Sequence, residues 1–141
     1  MMKIILDEGA KMPTRAHADD AGLDIYAKVG GDAVIIAPRD SAIFDSGVHV
    51  EIPRGYVGIL KSKSGLNVKY GITSTGTIDS GYTGSIAVKL YNNRNLPYAV
   101  YPGDKISQLV IMPIITPELE LVEDFDTKTE RGENGFGSTG R

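Results

Sequence analysis

The sequence predicts an all-β fold, a barrel or a sandwich, and three observations carry that reading. Seventeen glycines and seven prolines punctuate the chain, at intervals of roughly eight to twelve residues, the spacing of turns in small β domains. Between them lie short runs rich in β-branched and aromatic residues. Several of these runs alternate apolar and polar side chains, and no stretch carries a sustained apolar stripe at helical spacing.

Taken in order, the runs MKIIL, LDIYA and AVIIA read as the first strands. Asp24 interrupts the second of them, which suggests a polar site or a metal shell. GVHVEI alternates, with Val48, Val50 and Ile52 on one face. YVGIL leads into Lys61-Ser62-Lys63-Ser64-Gly65-Leu66, and Ser64 to Tyr70 is the one stretch that reads as a short helix. GTIDSGYTG, Gly76 to Gly84, reads as a β-hairpin leading into the strand SIAVKLY. A Pro102-Gly103 turn enters the run ISQLVIMPII, and ELELV reads as a last edge strand. From Pro117 to Glu133 seven carboxylates stand against Lys128 and Arg131, the composition of a solvated face and an exposed arm. The last eleven residues, RGENGFGSTGR, offer almost nothing to a core. By composition they read as a disordered end. As a flap, their glycines would let backbone approach a ligand, Phe136 would cover a flat ring, and Arg131, Ser138 and Thr139 would hold an anion. The expected organisation is a β-barrel domain over 1–126 and a flexible C-terminal flap over 127–141.

Composition narrows the chemistry. At 141 residues and 15.1 kDa, with 41% apolar and 23% charged residues, the chain suits one globular domain. It has no cysteine, which excludes disulfides and thiolate metal sites. His17 and His49 read as surface or strand residues rather than zinc ligands. A net charge of −3 without a basic block argues against binding nucleic acid polymers. No apolar run is long enough to span a bilayer. The apolar stretch before Asp7 is too short for a signal peptide, so the expected location is the cytoplasm.

Four internal segments carry candidate chemistry. In the Lys61–Leu66 segment a strand runs into a short helix, joining backbone N–H groups, a hydroxyl and an ammonium, which suits a phosphate. A Lys-Ser turn is usually just a turn. The Gly76–Gly84 hairpin presents backbone edges that can hydrogen-bond a planar base. Its Asp79 reads either as a turn-shaping aspartate or as a general base that orients water. Tyr82 reads either as a cross-strand aromatic or as a wall under a sugar. Gln108, inside an apolar run, needs a partner or faces a site. Asp24 is the fourth.

These segments and the tail, in this order, resemble the all-β dUTP pyrophosphatases (dUTPases). AGLDIYA, SKSGL, GTIDSGYTG, PGDKISQ and RGENGFGSTG are similar to that family's five motifs, and the match runs from Asp20 to Gly140. The resemblance implies a homotrimer of jelly-roll-like subunits with active sites at subunit interfaces. It implies Mg²⁺-assisted hydrolysis of dUTP to dUMP and pyrophosphate. Carried over, Asp79 would hold the attacking water and Tyr82 would pack under the deoxyribose, leaving no room for a 2′-hydroxyl. Gly76, Ile78 and Thr73 would contact the base or sugar. Lys63, Ser64, Gly65 and Gln108 would contact phosphates, and Asp24 would reach the magnesium ion through water. In the tail Phe136 and Gly137 would lie over the uracil, while Arg131, Ser138 and Thr139 would close on the triphosphate.

Four positions depart from the family pattern. Lys63 stands where arginine is usual, keeping charge without the bidentate fork. Gly81 replaces a frequent aspartate, Asn134 a glycine, and Thr73 an asparagine with a longer reach. Two other functions compete. A dCTP deaminase of the same fold would need a glutamate to deliver water to the base, and none lies between Glu51 and Glu118. A regulatory protein would bind the nucleotide without turning it over; intact Asp79 and Arg131 argue against that.

Overall fold

The computed structural model describes residues 1–133, so Asn134 and the expected contacts Phe136, Gly137, Ser138 and Thr139 lie outside the described residues. Within that range the chain forms β1 (Lys3–Leu6), β2 (Gly22–Tyr26), β3 (Val34–Ile36), β4 (Ser41–Asp45), β5 (Val48–Glu51) and β6 (Tyr56–Lys61). The helix α1 (Ser64–Tyr70) follows, then β7 (Ile72–Ile78), β8 (Ala87–Asn92), β9 (Tyr98–Val100) and β10 (Lys105–Pro113). The all-β expectation holds, and the short helix has the predicted bounds. It stops at Gly71, whose φ of 58° is left-handed and whose N–H closes on Asn67 O.

Six strands make the main sheet in the order β2-β10-β6-β7-β8-β4, flanked by the pairs β1-β5 and β3-β9. Every pairing is antiparallel. Two irregularities bend the sheet into half a barrel. The register of β10 shifts between Lys105 and Ser107, which adds local twist. β7 changes partner along its length: Ile72–Ser74 pair with β8, whereas Thr75–Ile78 pair with β6.

The alternation seen in the sequence fills the hollow. In β8, Val88, Leu90 and Asn92 are buried while Ala87, Lys89 and Tyr91 face out. Ile25, Ile36, Val48, Leu60, Ile72, Ile86, Ile106 and Leu109 complete one core drawn from almost every strand. Each such side chain contributes about 1.5–3 kcal/mol of burial. Asn92 is a buried polar residue beside that core; its amide meets the carbonyls of Ile36 at 3.1 Å and Leu96 at 2.8 Å and so ties β8 to the β3-β9 pair.

One expected strand does not form. ELELV has no strand partner, and Leu119 and Leu121 are fully exposed. Alternation makes a strand only beside a sheet edge within reach, and among the described residues 118–122 pair with none. Conversely β4, the three-residue β9 and the part of β7 that precedes the Gly76–Gly84 hairpin were not expected. β7 reads ITSTGTI, a composition of small polar residues and glycine that hides its strand character. Among the described residues no helix is long and apolar enough to cross a membrane.

Candidate active site

Strands β2, β6, β7 and β10 and the start of α1 line an open cavity of about 680 Å³. It collects residues from three of the sequence segments: Gly22 and Asp24, Lys61 to Lys63, and Gln108. Ser64 and Gly65 follow Lys63 in the exposed first turn of α1, between two residues that line the cavity, Lys63 and Asn67.

Asp24 is the buried charge in its lining. It sits in β2 opposite Gln108 and is only 4% exposed. Its Oδ1 accepts from Lys63 Nζ, and Lys105 Nζ lies 2.7 Å from Oδ2, as an ion pair off hydrogen-bonding angle. Burial acts to raise the Asp24 carboxyl, and the ammoniums of Lys105 and Lys63 outweigh it, holding the group below the usual carboxylate range. Lys63 has extended backbone (φ −68°, ψ 129°) at the start of α1 and contributes no side-chain cap there. Its side chain serves Asp24 instead.

Behind the cavity a set of small hydroxyls fixes the strand end that carries Lys63. Ser62 Oγ donates to Ser74 O and accepts from Ser74 N at 2.9 Å. Ser74 and Ser107 share a bond of 2.8 Å between hydroxyls, and Ser107 donates to Lys61 O. Gln108 Nε2 donates to Ser62 O at 3.0 Å. Gln108 therefore has the partner its position in an apolar run demanded. Gly22 permits that arrangement, because a Cβ there would lie 2.3 Å from Gln108 Oε1. Lys105, Ser62, Ser74 and Ser107 were missed in the sequence. Ser107 carried the same signal as its neighbour Gln108, a polar residue between Ile106 and Leu109.

The hairpin forms a second locus. β7 and β8 pair only at its base, up to Ser74 and Leu90. Beyond that point the arms part, and the edge of Thr75–Ile78 that faces away from β6 has no strand partner among the described residues. The open arms present backbone from Gly76 and Ile78 to whatever enters between them. Asp79 and Tyr82 occupy the exposed turn, closed by Tyr82 N donating to Asp79 O at 3.0 Å. The Tyr82 ring folds back over Gly84, and its hydroxyl donates to Ser85 O at 2.9 Å. Thr73 lies at the paired base, where its Oγ1 accepts from Asn93 Nδ2 at 3.0 Å.

The two loci do not meet within one chain. Thr75 faces Lys61 beside the cavity, whereas Asp79 is four residues further along, a distance of about 13 Å along a strand. Lys63, Gln108 and Asp24 are thus brought together, and Asp79 with Tyr82 elsewhere. Arg131 lies near the end of the described range, in an exposed stretch.

A divalent metal has no all-protein cage here: among the described residues no group of three His, Cys, Asp or Glu could hold one. The single buried carboxylate at the cavity suits Mg²⁺ that is held mainly by phosphate oxygens and water, the usual manner for that ion.

Comparison with known proteins follows the same lines. The dUTPase family model matches residues 8–140. The deoxyuridine 5′-triphosphate nucleotidohydrolase of Wolbachia pipientis subsp. Culex pipiens is 41% identical over 144 residues, covering 96% of this chain and 92% of the relative. That of Mycobacterium leprae is 41% identical over 143 residues, covering 96% and 91%. Among solved structures, the dUTPase of Staphylococcus bacteriophage 80alpha with dUpNHpp superposes with a TM-score of 0.91 at 35% identity, over 100% of this chain and 99% of that one. A mutant dUTPase from phage phi11 of S. aureus, described with a structural Mg(II) ion, gives 0.81 at 35% identity over 90% and 99%.

Proposed function

The chain belongs to the dUTPase family, and from that premise we propose how its two loci hydrolyse dUTP to dUMP and pyrophosphate. The observation that carries the reading is the parted hairpin: free backbone edges for a planar base, an aromatic ring over Gly84, and a carboxylate in the same turn. Gly76 and Ile78 offer backbone groups to the uracil, and the Tyr82 ring lies under the deoxyribose where a 2′-hydroxyl would collide. Thr73 contributes at the base of the slot. Asp79 aligns a water molecule and accepts its proton as the oxygen attacks the α-phosphorus. The new bond joins that oxygen to phosphorus, the bond from the α-phosphorus to the bridging oxygen breaks, and pyrophosphate leaves with the electron pair.

The cavity holds the triphosphate. Lys63 supplies positive charge, while Ser64, Gly65 and Gln108 donate to phosphate oxygens. Asp24 would hold a magnesium ion through water, and the bound ion would supply neutralisation of phosphate charge. Arg131 and the segment from Phe136 to Thr139 complete the site as the flap over 127–141. Because Asp79 lies along β7 from the cavity, the two loci are taken to meet between copies of the chain in a homotrimer. The exposed apolar residues Ile115, Leu119, Leu121 and Phe125 support an arm that packs on a neighbouring copy. The reading assigns the enzyme to the cytoplasm.

Product analysis with dUTP, dCTP, dTTP and UTP, each with Mg²⁺, tests the assignment. Pyrophosphate from dUTP alone is the expected result. Ammonia from dCTP, or tight dUTP binding without turnover, would overturn it.

A further inference from the structure

The outgoing arm of the hairpin is fastened to the corner between β4 and β5. Ile86 N donates to Val48 O at 2.8 Å, and Ser46 N donates to Ile86 O at 3.0 Å. Ser85 Oγ donates to Asp45 Oδ1, and Gly47 N donates to the same oxygen. One step nearer the turn, His49 Nδ1 lies 2.8 Å from Thr83 O. Among the described residues, His49 is the side chain from outside the 79–84 turn that bonds to it. Its other nitrogen, Nε2, lies 3.2 Å from Asp7 Oδ1. Asp7 is itself braced, by its N–H on Gly47 O at 2.9 Å and by Lys28 Nζ at 3.7 Å.

The chemistry of the two partners fixes the state of the ring. A peptide carbonyl and a carboxylate both only accept. A neutral imidazole has one N–H and can serve one of them; both bonds require the imidazolium. We propose that His49, braced by Asp7, is a positioning residue for the hairpin that carries Asp79 and Tyr82, and that it acts as the imidazolium. The inference rests on the assignment of that hairpin to dUTP hydrolysis.

Neighbouring groups agree with this state. The bond to the Thr83 carbonyl raises the His49 value first, burial opposes it, and Asp7 and then Asp45 raise it further. Lys28 and the paired Lys3 and Glu51, 2.8 Å apart, are the other charges on the packed elements, and Asp79 and Tyr82 are the titratable groups of the turn itself. Because the folded value is raised, the second bond is fully present below the unfolded value, about 6.5. It is lost as pH rises through the raised folded value.

The test compares the full chain with His49→Gln and Asp7→Asn. Hydrogen-exchange protection factors for residues 76–86 are measured across pH 5.5–9, beside kcat and KM for dUTP and the melting temperature. In the parent, protection should fall as pH rises. In Asp7→Asn the fall should come at lower pH, and in His49→Gln protection should be low and flat. A hairpin displaced by a fraction of an ångström should lower kcat of His49→Gln about tenfold, since misplacement by 1 Å can cost ~10²-fold, and raise KM, since the same hairpin carries the base and sugar contacts, with the melting temperature nearly unchanged. Parental protection in His49→Gln would overturn the proposal, and so would a loosened hairpin with parental kcat. Protection factors need no turnover, so a parent that releases no pyrophosphate refutes the dUTPase assignment separately from the tether.

Discussion

Replacing Gly84 by alanine tests the sugar wall without touching Tyr82 itself. The new Cβ would lie 2.4 Å from Tyr82 Oη, 2.6 Å from Cζ and 2.9 Å from Cε2. The hydroxyl oxygen and two ring carbons cannot tolerate those distances, so the ring must swing away and release its 2.9 Å bond to Ser85 O. Losing that bond costs about 0.5–1.5 kcal/mol. Tyr82 is already 46% exposed, so the ring moves into solvent without opening a hole in the core. Gly84 has no left-handed φ, and alanine there restrains the unfolded chain, a gain of about 0.4–1 kcal/mol. The two nearly offset, and the melting temperature should stay within about 4 °C of the parent. Specificity should not survive. Rejecting one added hydroxyl by shape gives about 10²-fold discrimination, and most of that should vanish. The assay is the ratio of kcat/KM for dUTP and UTP, by pyrophosphate release, for the parent, Gly84→Ala and Tyr82→Ala. An unchanged ratio in both variants would make Tyr82 a packing residue only. A ratio lost in Tyr82→Ala and kept in Gly84→Ala would mean that the ring does not need its position over Gly84.

Asp79→Asn should bind a non-hydrolysable dUTP analogue normally while turnover falls about 10²–10⁴-fold, the range for loss of a general base; steady-state rates within a few-fold of the parent would remove Asp79 from that role. If the two loci meet between copies, Asp79→Asn mixed and reassembled with inactive Gln108→Ala should regain part of the activity, and absence of any recovery would refute a shared site. Removing residues 131–141 should leave the melting temperature unchanged and cut turnover, with about 10³–10⁵-fold as the upper guide for a charge-stabilising arginine; normal turnover would reduce this end to a passive tail. Asp24 is held below the carboxylate range, so its stabilising pairs are complete above about pH 4 and are lost as pH falls through the lower folded value. Melting temperature should therefore fall more steeply below pH 4 in the parent than in Asp24→Asn.

Along the chain, local chemistry was legible wherever it acts within a few residues. Turn residues and alternation specified a β fold, because glycine, proline and period-two burial act within a few residues. The helix from Ser64 to Tyr70 was legible because Gly71 stops it. Asp24 and Gln108 were legible as residues in need of a partner because a polar group in an apolar run must be satisfied. Tertiary structure decided what those partners are. Lys105 reaches Asp24 only because β10 lies beside β2, and His49 reaches Thr83 only because the corner between β4 and β5 packs against the hairpin. It also decided that ELELV is no strand, since pairing needs an edge as well as a pattern. The first half of β7 went unread for the converse reason: Ile72 to Thr75 has little apolar signal, and two neighbours, β6 and β8, make it a strand. The parting of those neighbours opens the hairpin, and no property of residues 75–86 alone announces it, because it depends on where each arm's other partner stands.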